Sequence, residues 1–423
     1  MKVRANLLLV PVAVMAGLAG FLAGRQAERG GSGGGSGVPS LTADWNPGAT
    51  GRAGRSDAGE VAGSAGGRRS RLSSLAKLGR EQVQEKMGAL MRSPDAQDRA
   101  RAWLDFVDGL EPGQFEQVVA DFRSMGLSGS NLSEYATLLS AWAKHDPLAA
   151  LDFAEKNTGN VFARQTILAT WANSDLAGAI GWANGHFQGT PDQGNPWMVG
   201  VIRGIAAGDP ARASQLMQEM PFSRERGDAL VALIPTVMAR GATEAMAWAD
   251  GLQDSSLRDR AMREIAPRLA EKDPQGAANW LAAANTPEAA NTIDDVMTVW
   301  MKASPSEAVG YYERLPAGAM RTEALSSLVS SMASTDPGQA LAFLSSHRGE
   351  ATDPIYGEFI KNSAGSQPEL AVEQIANIQD VQNRDRTYLK TIGKWMKRDP
   401  DAARQYLASG RVPANVVQQL NGG

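Results

Sequence analysis

An Asp-Pro pair returns along this chain at a nearly constant spacing. It stands at Asp146-Pro147, Asp209-Pro210, Asp273-Pro274, Asp336-Pro337 and Asp399-Pro400. Asp175-Leu176, Gly241-Ala242, Ser304-Pro305 and Gln367-Pro368 fill the gaps between them. The second members fall at 147, 176, 210, 242, 274, 305, 337, 368 and 400, so successive gaps are 29, 34, 32, 32, 31, 32, 31 and 32. Self-similarity at a fixed period of roughly 20–50 residues marks an array of repeated supersecondary units.

The columns around the marker agree. Three residues after it stand Ala150, Ala179, Ala213, Ala245, Ala277, Ala308, Ala340, Ala371 and Ala403. Six residues after it stand Phe153, Trp182, Leu216, Trp248, Trp280, Tyr311, Phe343, Gln374 and Tyr406. Five residues before it stand Trp142, Trp171, Ile205, Val237, Leu269, Trp300, Met332, Ser363 and Trp395. Only the eighth unit, with Ser363 and Gln374, lacks both large side chains.

Physical chemistry turns these letters into a unit. An Asp carboxylate accepts orphan N–H groups at a helix start, and Pro fits the first helical position. Positions three, six and seven after the marker share one face of the short helix that follows. Ala lets a neighbouring helix come close there, and the aromatic residue fills the wider gap beside it. A loop then leads to a longer second helix. Its stripe reads Ala324, Leu325, Leu328, Val329, Met332 and Ala333 in one unit, and Ala229, Leu230, Leu233, Ile234, Val237 and Met238 in another. That is a 3.6-residue period. One thin hairpin cannot bury two such stripes, so units must stack. The expected fold is all-α: an α-solenoid of about nine 31–32-residue helical hairpins, preceded by an N-terminal transmembrane helix and a flexible linker. Pro235 and Pro267 lie inside otherwise periodic second helices, where a missing N–H is expected to kink the chain.

Terminal units of an array need a polar outer face. Arg80–Arg92, Pro94–Leu110 and Pro112–Met125 read as helices without the Ala column, so residues 80–130 form an expected N-terminal cap before the array at 131–420. Pro413–Leu420 reads as a closing helix.

The beginning of the chain differs. Residues 5–24 are apolar apart from Asn6, and twenty helical residues span ~30 Å, the thickness of a bilayer core. An uncleaved signal anchor is expected, with the C-terminal bulk extracytoplasmic, because Lys2 and Arg4 precede the run. Removal as a signal peptide is the alternative, which would leave the protein secreted or periplasmic; Val14-Met15-Ala16 and Gly17-Leu18-Ala19 resemble cleavage sites but lie inside the run. Ala16, Gly20 and Gly24 form a small-residue ladder of the kind that lets two membrane helices meet, so a homodimer through them is a further expectation. Residues 26–71 are rich in Gly and Ser and read as a flexible linker with a root-mean-square reach of roughly 35–40 Å.

The segment Asp273-Pro274-Gln275-Gly276-Ala277-Ala278-Asn279-Trp280 resembles the junction between tetratricopeptide repeats, where a Pro closes one unit and an aromatic lies early in the next. The resemblance covers about Asn131 to Leu420. The period of 31–32 differs from that family's 34, and no Leu-Gly pair follows the Trp, so the chain is tetratricopeptide-like. The resemblance implies protein or peptide binding on a concave face, without intrinsic catalysis.

Chemistry-bearing motifs are sparse. The net charge of −4 offers no basic excess for a phosphate backbone, so nucleic acid is not an expected partner. There is no Cys, which excludes thiolate metal sites and thiol catalysis. His145, His186 and His347 fall in different columns, without metal-ligand spacing. Gly30-Gly31-Ser32-Gly33-Gly34 matches a nucleophile elbow in letters alone, since no strand precedes it. No catalytic residue, cofactor or metal is therefore expected. One polar column remains. Arg226, Arg258, Arg321 and Arg384 lie sixteen residues before their markers and could present a ladder to an acidic partner. The alternative is that they bond loop carbonyls or acidic neighbours. The function expected is a non-enzymatic interaction scaffold at a bacterial membrane; a structural or self-associating envelope spacer is the alternative.

Overall fold

A computed structural model describes residues 79–422 except 93, 130 and 160. The apolar run at 5–24, with Ala16, Gly20 and Gly24, and the linker at 26–71 lie outside the described residues. Within them, no helix is long and apolar enough to cross a membrane. The described chain is all-α, with 22 α-helices and no strand. It divides into two units, up to Thr236 and from Val237 onward.

Unit 1 begins with α1 (Arg80–Met91), α2 (Ala96–Val107), a short 3-10 turn at Pro112–Gln114 and α3 (Phe115–Ser124). These helices fall within a few residues of those read from the sequence. Then come α4 (Leu132–His145), α5 (Pro147–Asn157), α6 (Val161–Ala172), α7 (Leu176–Gly185), α8 (Pro196–Ile205) and α9 (Pro210–Glu219). Helix α10 (Arg224–Ala239) carries the chain past the division. Unit 2 continues with α11 (Ala242–Asp250), α12 (Ser255–Ala270), α13 (Pro274–Ala284), α14 (Pro287–Ala303), α15 (Pro305–Arg314) and α16 (Ala319–Thr335). It ends with α17 (Pro337–Ser346), α18 (Asp353–Ser363), α19 (Pro368–Gln374), α20 (Val381–Arg398), α21 (Pro400–Ala408) and α22 (Ala414–Gly422).

Every marker is a helix-to-helix junction. At six of them the Asp carboxylate accepts the N–H three residues on, at 2.8–3.2 Å: Asp146, Asp175, Asp209, Asp273, Asp336 and Asp399. The same residue's own N–H closes the preceding helix, as from Asp336 to the Met332 carbonyl at 2.7 Å. One residue thus caps two helices. Its backbone is nearly constant, at φ −142°, ψ 85° for Asp399 and φ −149°, ψ 78° for Ser304, which makes no side-chain cap. The exception is Gly241, at φ 121°, a conformation that a side chain would disfavour.

The repeated alanines sit where the helices meet. Ala277 is 2% exposed and the other eight are 0%. Beside them, the large residue before the marker meets the aromatic after it: Trp142 with Phe153, Trp300 with Tyr311 and Trp395 with Tyr406, at ring separations of 5.2–5.5 Å. In the eighth unit Gln374 ends a shortened α19, and a 3-10 turn, Ile375–Asn377, follows. Ile375 and Ile378 are buried there in place of the missing aromatic.

Within each unit the principal contacts join helices adjacent, or next but one, in the chain. Second helices stack directly: α4, α6 and α8 in unit 1, and α12, α14, α16 and α18 in unit 2. Side-chain hydrogen bonds between hairpins span about one period, as in Gln165 to the Pro196 carbonyl, 31 residues apart, and Asn362 to Ser330, 32 apart. The second helices are long in α12, α14, α16 and α20, at 16–18 residues. Helices α6, α8 and α18, at 10–12, do not follow the short-then-long expectation. Pro235 and Pro267 both lie inside helices that run on beyond them. After Pro267, the Arg268 guanidinium donates to the Glu264 carbonyl. A side chain thereby serves a carbonyl next to the point where the proline has removed a backbone donor.

Candidate functional site

The arginine column starts each second helix, and three of its members turn back onto their own hairpin. Arg226 is buried, and its Nη2 donates to the Gln218 carbonyl at 3.4 Å. Arg384 donates from Nη1 to the Ile378 carbonyl at 3.2 Å. Arg321 is the most heavily bonded. Its Nη1 reaches the Tyr312 and Leu315 carbonyls at 2.9 Å and that of Glu313 at 3.3 Å. Its Nε and Nη2 grip the Glu350 carboxylate at 2.6 and 2.9 Å. Arg258 is half-buried, and its Nε makes no hydrogen bond. The geometry has a plain cause. A first helix ends in carbonyls without partners, and a guanidinium a few residues later supplies donors to them.

Around Arg321 this clasp becomes a network. The guanidinium stacks over the Tyr312 ring at 4.3 Å, and the Tyr312 hydroxyl donates to Glu350 at 3.1 Å. His347 lies 3.0 Å from Glu313 through Nε2, and its Nδ1 lies 2.9 Å from the Phe343 carbonyl. Burial pushes the Tyr312 hydroxyl up. The hydrogen bond from Arg321 holds Glu350 below the usual carboxylate range. The Ser346 hydroxyl also lies 3.0 Å from His347 Nδ1. Among the described residues no cluster of three or more His, Asp or Glu could hold a metal ion.

Arg384 differs from the other three in what surrounds it. It lines an open cleft of about 890 Å³ in unit 2, together with Tyr388, Leu407, Arg411, Val412 and Val417. The cleft lies between α20, the end of α21 and the start of α22. Tyr388 is buried in its wall, and Arg411 stands 5.6 Å over the Tyr406 ring while pairing with Glu373 at 2.8 Å and Glu369 at 3.3 Å. The cleft thus joins apolar walls to two guanidinium groups.

A second polar feature was not legible in the column of arginines. It runs across the second helices of unit 2. The Thr298 and Ser327 hydroxyls are 3.1 Å apart, Ser327 donates to the Asp294 carbonyl at 3.0 Å, and Asn362 donates to the Ser330 hydroxyl at 2.9 Å. Exposed charges flank this seam: Asp294 and Asp295 on α14, and Lys361 on α18, 3.0 Å from Glu358. Partial desolvation of its carboxyl against the seam, with Asp295 and Glu358 adding to it, pushes Asp294 up although the residue as a whole is exposed. The signal lay at the positions ten and seven before the marker, where unit 2 carries Asp295, Thr298, Ser327, Ser330, Glu358 and Lys361.

No protein-family model matches the chain, and a search of curated proteins finds no match either. The fold and these surfaces define a class: an all-α protein of repeat-like helical hairpins packed in neighbouring pairs.

Proposed function

We propose that this chain is a non-enzymatic interaction scaffold whose hairpins form an α-solenoid, with its described helices presented outside the cytoplasm of a bacterial cell on a membrane anchor at residues 5–24. The observation that supports it best is the polar, charged face of the second helices in unit 2, which exceeds what stacking requires. Solvated charge is ordinary on a helix, but the Asp294, Asp295, Glu358 and Lys361 group and the Arg384 cleft lie on one unit and offer groups of both signs. Such an arrangement suits a protein or peptide with mixed polar and apolar contacts.

A photoactivatable amino acid placed singly in the full-length protein in cells tests this. At Ser331, Lys361 or Gln418 it should yield one recurrent adduct with a partner; at Glu307 or Gln339, on exposed first helices, it should yield none. Equal labelling from both sets, or adducts only with a second copy of this chain, would contradict a dedicated partner face. The second outcome would favour the self-associating spacer.

A further inference from the structure

Helix α8 reads Pro-Trp-Met-Val-Gly-Val-Ile-Arg-Gly-Ile, and every residue after Pro196 is buried except Arg203. A helix apolar on all sides is a core helix. Arg203 is its one charged residue. The Nε and Nη2 atoms are closed off from solvent and have no hydrogen-bond partner. Burial alone acts on this guanidinium, lowering it to about 10, so it keeps its charge at neutral pH without a carboxylate beside it. Two other arginines of unit 1 each have one nitrogen without a hydrogen-bond partner, Arg164 Nε and Arg123 Nη1, but Arg164 stacks on the Trp197 ring at 4.0 Å and Arg123 acts electrostatically on the Tyr135 hydroxyl.

The backbone around Arg203 has no slack. A Cβ on Gly200 would come within 2.6 Å of the Gln165 carbonyl, and one on Gly204 within 2.2 Å of the Ala169 carbonyl. Helix α8 is therefore pressed against α6 on both sides of Arg203 along the chain, and the charge cannot be relieved by parting the helices. The side chain itself is long and part of it reaches the surface. Removing a charge from water without a partner is strongly unfavourable, so a partner that supplies acceptors would draw the guanidinium outward. The two free atoms belong to the side-on edge of the fork, whose parallel N–H groups match the two oxygens of a carboxylate.

We propose that Arg203 is an anchor for an anionic group of a bound ligand, a peptide carboxylate, which it meets by swinging its unpartnered side-on edge outward. This rests on the scaffold reading for the identity of the ligand, but not for the behaviour of the arginine. The full-length protein in detergent, with and without tetraglutamate, tetralysine or inorganic phosphate, provides the test by thermal unfolding. Arg203→Met, which keeps the stem and removes the charge, should unfold at a higher temperature than the natural protein in the absence of ligand. Tetraglutamate should raise the midpoint of the natural protein saturably and leave Arg203→Met unmoved, and tetralysine should do nothing. Arg203→Lys should lose at least tenfold in apparent affinity, since a point charge lacks the two-pronged edge. A response to inorganic phosphate equal to that of tetraglutamate would show that the anchor reads any oxyanion, and would overturn the assignment to a carboxylate. Arg203→Met unfolding earlier than the natural protein would show a partner within the fold and overturn the proposal, as would a tetraglutamate response shared by Arg203→Met. Failure of the scaffold reading alone would leave the stability gain of Arg203→Met in place.

Discussion

The two units build one template and lock it in different ways. In unit 1, α8 meets α6 closely through backbone, with Gly200 and Gly204 seated against the Gln165 and Ala169 carbonyls, and two side chains of α6 add to it, Gln165 on the Pro196 carbonyl and Arg164 on the Trp197 ring. In unit 2, the second helices meet through side chains: Arg263 with Glu288, Thr298 with Ser327, and Ser330 with Asn362. Buried alanines line the junctions of both units, and Asp caps close all three in unit 1 and three of the six in unit 2. What differs is the seam between hairpins. The repeat therefore fixes where helices begin and meet, while the seam is free to be steric or polar. A polar seam leaves charge on a surface; the closer seam of unit 1 makes the unpartnered guanidinium of Arg203 conspicuous.

That contrast can be broken most severely at Gly204. Its Cβ would meet a backbone carbonyl, which cannot move aside as a flexible side chain does. Gly204→Ala should destabilise unit 1 by about 3 kcal/mol, as overpacking in a rigid core does. Val299 holds the same column in α14 and is half-buried. Val299→Ala should cost no more than about 1 kcal/mol, the transfer free energy of its partly buried methyl groups. Denaturant titration followed by hydrogen exchange, which reports each helix separately, measures both.

The next largest effect is expected in the polar unit. Arg321→Ala removes the guanidinium bonds to three carbonyls and to the Glu350 carboxylate, which keeps only the Tyr312 hydroxyl. A loss of about 2–3 kcal/mol should follow, confined to α15–α17 in hydrogen exchange. Arg384→Ala removes one backbone bond, and about 1 kcal/mol is expected. Smaller still are the junction caps. Asp336→Ala should destabilise by about 1 kcal/mol, and Ser304→Asp, at a junction with the same backbone but no cap, should stabilise by about 0.5 kcal/mol.

Acid gives the mildest effect. Glu350 titrates below its ordinary value because Arg321 bonds its charged form. The stability it contributes is therefore fully present above the unfolded-state value of about 4.3 and disappears as pH falls through the lower folded value. The denaturant midpoint of α15–α17 should drop across that acidic window, and Glu350→Gln should flatten the drop. A midpoint that rises on acidification would show that the charge is not favourable where it stands.

Much of this fold was legible before any coordinate. An Asp-Pro pair with Ala three residues later specifies a cap, a helix start and a close contact. Each is local chemistry, so the junctions and the helices between Arg80 and Ser124 fall where the letters place them. The second-helix lengths were less legible, because a helix end depends on the loop beyond it. The inserted loop from His186 to Asn195 and the short α8 after it show this. The roles of polar side chains were harder again. A column of arginines reads equally as a binding ladder or as a set of clasps, and only distances to carbonyls separate the two. Gly200 and Gly204 have the same four-residue spacing as Gly20 and Gly24, but spacing alone does not say which backbone lies against them. Arg203 carried a readable signal, one charge within ten otherwise uncharged residues, but its lack of a partner is a property of packing.

The central claim is that packing follows chain order within each unit. Zero-length carbodiimide crosslinking of the full-length protein, with linked residues identified by mass spectrometry, tests it most directly. In unit 2 the links from Lys272, Lys302, Lys361, Lys390, Lys394 and Lys397 should reach carboxylates on the same helix, the adjacent one or the next but one. Recurrent links between distant hairpins, such as Lys394 of α20 to Glu264 of α12, would contradict it.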